Sequence, residues 1–421
     1  MIKNRNEFDT LIIGGGLSGL ACGITLAKTG RRVAIVAAGV SSLQLNGGAM
    51  ELLGCVDGNE VERPLDAIAT LPDQHPYQKI GAERCGTLAR EAKQLLADTG
   101  IFTEGSAEQN HWRITPIGVT KPAWLSLRGM ATSDRPDRLP WRQATLLSLQ
   151  GFVDFPQHLV AHNLASLGSE VTMREVVVES LCQPRRSASE MRAANLARTI
   201  GTGSKLRQLA DAINQACRPD EVVLLPAMTG LEDDYPVTLL RRLVHSQLHF
   251  VATMPSSVPG TRMANLLRHY FKMLGGVYLA GETVSSAIID GDKVASVCLA
   301  KSPDVPLAAR NFVLAAGSLM SGGLLATTDA IIEPLFALDV DIPALGSQSD
   351  QDTFIGNQPF MQCGVLTDAS LHPLMHGAPL TNLYAIGSVL AGHNPATMGD
   401  GTGVDLLTAL AVAHHIIQSR Q

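Results

Sequence analysis

Apolar residues run almost unbroken from Phe8 to Ile13, spread along a helix-length segment from Leu17 to Lys28, and run together again from Arg32 to Ala37. A short continuous apolar run fits a strand buried on both faces, and Gly30 supplies the stop for the intervening helix. The spacing therefore predicts a βαβ unit at the start of the chain. From about Pro72 to Met254 the texture changes, with helical stretches such as Cys85 to Asp98 alternating with Trp- and Pro-containing segments around Trp112, Trp124 and Trp141. That change predicts a second domain at 72–254, inserted into a discontinuous first domain of residues 1–71 and 255–421. Within the insert, Ser187 to Ile200 reads as a helix opened by the capping box Ser-Ala-Ser-Glu. Its neighbourhood, Arg185 to Arg207, is basic enough to be a docking face or simply a solvated one. Beyond it, Thr261 to Leu274 reads as an amphipathic helix, Thr283 to Leu299 as a hairpin turning at Asp290-Gly291-Asp292, and Asn311 to Ala316 as a buried strand.

The chain has 421 residues, for which two or three domains are expected. Hydrophobic residues make up 45% and charged residues 17%, which excludes a disordered or fibrous chain. A formal charge of −6, with no block of five like charges, makes nucleic acid an unsuitable partner. The seven cysteines are widely scattered, so no CxxC pair predicts a zinc site or an iron–sulfur centre, and no metal is expected. Their odd number and scatter fit reduced thiols in a cytosol. Leu11 to Ala27 is uncharged and superficially copies a secretory signal, but its five glycines and the acids Glu7 and Asp9 before it argue against that reading. No other segment approaches the length of a membrane span.

The glycines carry the chemistry. Gly14-Gly15-Gly16-Leu17-Ser18-Gly19 is a GxGxxG placed between the predicted strand and helix. In that motif Gly14 turns the chain, Gly16 lets backbone meet a phosphate, and Gly19 lets the helix pack on the strand. The helix start then holds the anion. Dinucleotide folds place an acid for the ribose hydroxyls at the end of the second strand, but here Ala37-Ala38-Gly39 stands there. An adenosine loses its usual partner, which makes FMN a serious alternative to FAD. Ser41, Ser42, Asn46, Gly47 and Gly48 follow as candidate contacts for a flat ring. Phe312 to Ser318 and Asn382 to Ser388 share a strand-to-glycine grammar, with Gly317, Gly387 and Ser388 at the turns. Asp400, Gly401, Thr402 and Gly403 form a second glycine cluster before a helix, suited to a ribityl phosphate or the carbonyl edge of an isoalloxazine.

At this point a resemblance becomes specific. DTLIIGGGLSGL, the AAG strand and NLYAIGS resemble the two-dinucleotide-binding-domain flavoproteins over the two ends of the chain. SSLQLNGGAMELL, RITPIGVTKPAWLS, GFVDFPQHLVAHNL and MPSSVPGTRM resemble the B-subunit family of anaerobic glycerol-3-phosphate dehydrogenase over nearly the whole chain. The resemblance implies a Rossmann-like FAD/NAD(P)-binding flavoprotein fold (α/β) with an inserted α+β domain. It also implies FMN as cofactor, with FAD as the alternative, and a role in oxidising sn-glycerol 3-phosphate to dihydroxyacetone phosphate. The implied partners are an A-type flavoprotein catalytic subunit and a C-type iron–sulfur membrane anchor leading to quinone. The implied location is the cytoplasm, peripheral at the inner face of the cell membrane through those partners. Two other functions remain open from the residues: a self-sufficient FAD enzyme of the fumarate reductase or ketosteroid dehydrogenase type, and a non-enzymatic scaffold on the same fold.

Two residues are candidates for catalysis. Arg262, near the start of a helix behind Pro259-Gly260, is placed to clamp a phosphate, to steady a reduced flavin, or to form a surface ion pair. His393, beside Asn394, is placed to accept a proton as a secondary alcohol is oxidised, or to sit as a hydrogen-bonded loop histidine. Arg113 and Lys121 are weaker anion candidates.

Overall fold

The structure, a computed structural model, describes residues 7–182, 191–342 and 359–419. Backbone contacts divide the chain into two compact units. The first takes Met1–Ser42, Glu51–Leu95 and Leu267–Gln421, and the second takes Leu43–Met50 and Leu96–Leu266.

The apolar run at the N-terminus forms β1 (Glu7–Ile13), followed by α1 (Leu17–Ala27) and β2 (Val33–Ala37). Every residue of β2 is buried, as expected of a strand covered on both faces. The first unit's sheet continues with β3 (Val277–Ala280), β4 (Val284–Asp290), β5 (Lys293–Leu299), β6 (Ser302–Leu314) and β7 (Leu383–Ala385). Its order is β3-β2-β1-β6-β5-β4, with β7 also pairing β6. Strands β3, β2, β1, β6 and β7 pair in parallel, while β4 and β5 turn back antiparallel. Asp290 pairs with Lys293, so the hairpin closes through Gly291-Asp292, and Gly291 takes the positive φ that such a turn requires. Strand β6 outruns the predicted Asn311–Ala316, because its first half pairs with β5 and its second half with β1. Helix α2 (Gly401–Gln418) packs on α1; both are rich in small and aliphatic side chains.

Residues 72–95, expected in the insert, lie in the first unit. The reason is local: the Tyr77 hydroxyl donates to Leu52 O at 2.6 Å, and Lys79 Nζ donates to Thr367 O at 3.0 Å. Leu43–Met50 falls in the second unit, where Ala49–Met50 pairs antiparallel with Leu125–Leu127.

The second unit is built on a four-stranded, fully parallel sheet of Glu170–Val176, Gln143–Leu149, Val222–Pro226 and Gln247–Val251, in that order. Helices Gln157–Ser166, Ala193–Ile200, Ser204–Ala216 and Tyr235–Leu243 share its apolar core, and two small antiparallel sheets of three strands accompany it. The capping box at 187–190 lies outside the described residues, and the described helix begins at Ala193. Trp112 and Trp124 are buried, so neither offers an aromatic docking surface. Trp141 is partly buried and packs its ring 4.8 Å from that of His249. Among the described residues, no helix is long and apolar enough to cross a membrane.

Candidate functional site

A cavity of about 310 Å³ opens at the carboxyl ends of β1, β2 and β6 in the first unit. This is the edge of a parallel sheet where α/β folds take their ligands. Gly14, Gly15, Gly16 and Ser18 line it from the β1–α1 turn, Ser41 and Ser42 from beyond β2, Gly317 from beyond β6, and Ser388 from beyond β7. The fold therefore brings these expected site residues together.

The three glycines of the turn differ in what surrounds them. Gly14 holds φ +125°, and a Cβ there would lie 2.0 Å from Ala315 O, so only glycine lets β1 turn beside β6. A Cβ on Gly19 would lie 2.0 Å from Gly14 O, so this glycine seats the helix on the turn rather than facing the cavity. Gly16 differs from both: its nearest neighbour would be Ser41 Oγ at 3.7 Å, leaving an open face toward the cavity. Among the described residues no side chain caps α1, and its first turn holds no acid. Its free amides and positive dipole end therefore suit a phosphate. On these observations the residues present fit the phosphate of a flavin nucleotide.

Three acids that no sequence motif singles out also line the cavity: Glu282, Glu333 and Asp405. The amide and hydroxyl of Ser388 both donate to Asp405 Oδ1, at 3.2 and 3.3 Å. Burial pushes the Asp405 carboxyl up to about 6, against the opposing pull of His393 and of hydrogen bonds from Ser388 and Ser18. Gly387 closes the same corner, since a Cβ there would lie 2.4 Å from Asp405 Oδ1. Burial likewise raises Glu333, although the amides of Leu335 and Phe336 donate to it at 3.0 and 2.7 Å. Glu282 follows the end of β3, whose neighbour in the sheet is β2. The amides of Gly281 and Glu282 donate to Ala37 O at 2.8 and 3.3 Å. Finding Glu282 from sequence requires knowing that β3 pairs with β2, a contact between segments from opposite halves of the chain.

The second glycine cluster lies off this cavity and is used in packing. Thr402 Oγ1 accepts from the Glu51 amide at 2.7 Å and donates to Glu51 O at 2.9 Å. Gly401 packs on Pro395, and Gly403 on Tyr77 and Leu52. Asp400 is fully buried between two histidines, with His75 Nε2 3.1 Å from Oδ2 and His393 Nδ1 3.3 Å from Oδ1. The Tyr77 amide donates to His75 Nδ1 at 3.1 Å, which puts the proton of neutral His75 on Nε2, facing the acid. Burial depresses the pKa of His75. Burial acts the same way on His393, but the charge of Asp400 and their hydrogen bond outweigh it and raise His393. Burial alone would raise Asp400, and the charge and hydrogen bond of His393 reverse this, holding its carboxyl well below the usual carboxylate range. His393 thus faces Asp400 in a buried cluster and does not line the cavity.

The other candidates fall in the second unit. Asn46 Oδ1 accepts from the Gly48 amide at 2.7 Å and its Nδ2 donates to Ala49 O at 2.8 Å, so this side chain shapes its own loop, with Gly47 and Gly48 in the turn. Arg262 is 5% exposed, which removes the surface-ion-pair reading. Its Nη1 donates to Gly230 O at 2.7 Å and Thr229 O at 3.3 Å, and Nη2 lies 3.8 Å from Asp234. Burial lowers its pKa against the pull of Asp234 and Asp233. The guanidinium pins the Thr229–Asp234 loop. Arg113 and Lys121 sit opposite each other on paired strands of a small antiparallel sheet.

Residues 9–404 match the family described as FAD binding domain. The chain is 38% identical to the B subunit of anaerobic glycerol-3-phosphate dehydrogenase of Yersinia enterocolitica, over 99% of both chains. It is 36% identical to the protein of the same name from Pectobacterium carotovorum, over 98% of this chain and 99% of that one. Among solved structures it is similar to a 3-ketosteroid delta1-dehydrogenase from Sterolibacterium denitrificans, with 12% identity, a TM-score of 0.44, and coverage of 99% of this chain and 100% of that one.

Proposed function

The chain belongs to the B-subunit family of anaerobic glycerol-3-phosphate dehydrogenase and carries an FAD binding domain, and from that premise we propose that it is the flavin-bearing subunit of a complex that oxidises sn-glycerol 3-phosphate. The observation that carries the reading is the cavity at the β1–α1 turn, where an open glycine face meets an uncapped helix start. In the proposed reaction the secondary alcohol becomes the ketone of dihydroxyacetone phosphate, losing two electrons and two protons. The flavin, when bound, is a two-electron acceptor that can pass electrons on singly.

This chain's own residues bind and orient. The amides at the start of α1 hold the phosphate, and Ser18, Ser388 and Asp405 present a hydroxyl-and-carboxylate corner for ribityl hydroxyls. The B-subunit name carried by the relatives supports an assembly of several chains. As partners we assign an A-type flavoprotein that takes the substrate and an iron–sulfur subunit that carries electrons to quinone at the cell membrane.

Denaturing the purified chain and weighing the released flavin tests the first half of the reading, with about one flavin per chain expected. Coexpression with the A-type partner tests the second half. Glycerol 3-phosphate should reduce a dye rapidly with the co-eluting subunits and slowly or not at all with this chain alone. A chain that stays colourless after incubation with flavin, or a lone chain with full activity, overturns the respective half.

A further inference from the structure

We propose that the cavity holds flavin with Asp405 as a carboxylate, so that binding displaces a proton under mildly acid conditions and acid empties the site. The inference rests on the flavin reading above and adds a regulation to the same site.

Asp405 has work on two sides. It closes the turn after β7 by accepting the amide and hydroxyl protons of Ser388 on one oxygen. The residue is also half-buried and lines the cavity beside Ser18, which bonds to it from the first turn of α1. The open face of Gly16 looks toward Ser41, beyond β2, whereas Ser388 lies beyond β7, and β2 and β7 flank the β1–β6 pair from opposite sides. A phosphate resting at Gly16 therefore leaves Asp405 to the next stretch of ligand. In a flavin nucleotide that stretch is the hydroxyl-bearing ribityl chain. A hydroxyl donates more strongly to a carboxylate than to a neutral acid, so the ligand favours the ionised form.

The empty cavity opposes that charge. Among the described residues no lysine, arginine or histidine lines it, while Glu282 and Glu333 do. Behind Asp405 stand His393, whose charge pulls it toward ionisation, Tyr77, and Asp400 at the start of α2. Helix α1, packed on α2, adds only the buried thiol of Cys22. Burial outweighs His393 and the serine hydrogen bonds, and the carboxyl of the empty cavity titrates at about 6. Hydroxyl donors from the ligand lower that value. Affinity is therefore full above about 6 and is lost below it, where protons compete with the ligand.

Titration of the flavin-free chain with FAD tests this. FAD is the probe because its pyrophosphate does not titrate between pH 5 and 8, whereas FMN is a phosphate monoester with an ionisation of its own at about 6. Wild type should bind FAD about tenfold more weakly at pH 5 than at pH 7.5, the competition expected one pH unit below the free carboxyl. Asp405→Asn keeps the shape without the charge and should change by less than twofold between the two. Calorimetry of wild type at pH 6, in buffers of different ionisation enthalpy, should show roughly half a proton released per flavin bound, and none at pH 8. That measurement needs no variant, so it decides the matter even if Asp405→Asn does not fold. An affinity that ignores pH or rises as pH falls, an equal slope in Asp405→Asn, or binding at pH 6 without proton release overturns the linkage and leaves flavin binding intact. A wild type that binds no FAD at either pH takes down the flavin reading itself and this inference with it.

Discussion

Ser388 gives both its amide proton and its hydroxyl proton to one oxygen of Asp405, at 3.2 and 3.3 Å, so a single carboxylate closes the turn after β7 while facing the cavity. Burial pushes that carboxyl up to about 6 from 3.8. An acid with a folded pKa above its unfolded one binds more protons when folded, so its cost to stability grows as pH rises from about 4 to 6 and is full above that. Asp405→Asn removes the charge and keeps an acceptor for Ser388. The flavin-free variant should melt higher than wild type at pH 8, by roughly 2–4 °C for each kcal/mol recovered. The gain should shrink toward pH 4. Thermal scans at the two pH values decide it, and a variant that melts lower at pH 8 means the charged form is stabilising.

Gly14 and Gly16 sit two positions apart and should fail in opposite ways. Gly14→Ala forces a methyl to 2.0 Å from Ala315 O at φ +125°. It should cost about 3 kcal/mol or more and lower the melting temperature whether or not flavin is present. Gly16→Val adds bulk on an open face, where the backbone is extended at φ −79° and ψ −170°. Valine adopts that conformation freely. The variant should melt close to wild type and purify without flavin. A Gly16→Val protein with full flavin content would refute the phosphate site.

These contrasts show what local pattern can and cannot reveal. The β1–α1–β2 unit, the GxGxxG turn and the hairpin at Gly291 are legible in the sequence because each is set by neighbouring residues: continuous apolar runs, glycine spacing, an Asp-Gly turn. Asp400 misleads for the converse reason. A glycine cluster before a helix has the composition of an anion site, but His75, 325 positions away, turns the acid inward. Arg262 looks like a free cation in the sequence because its acceptors, Thr229 O and Gly230 O, belong to a loop well upstream. Charge and turn chemistry announce a polar residue; only the fold says whether its bonds are already made.

The His75–Asp400–His393 cluster has a defined pH window. Asp400 is depressed, so its contribution is present above its unfolded pKa of about 3.8 and is lost as pH falls through the folded value. His393 is raised, so its contribution is present below about 6.5 and is lost as pH rises through the folded value. Asp400→Asn should therefore be most destabilising between about pH 4 and 6.5, by about 3–5 kcal/mol as for a broken buried pair, and less so at pH 9. Denaturant unfolding at pH 5.5 and 9 measures it. An equal deficit at both would mean that His393 is neutral in the native state.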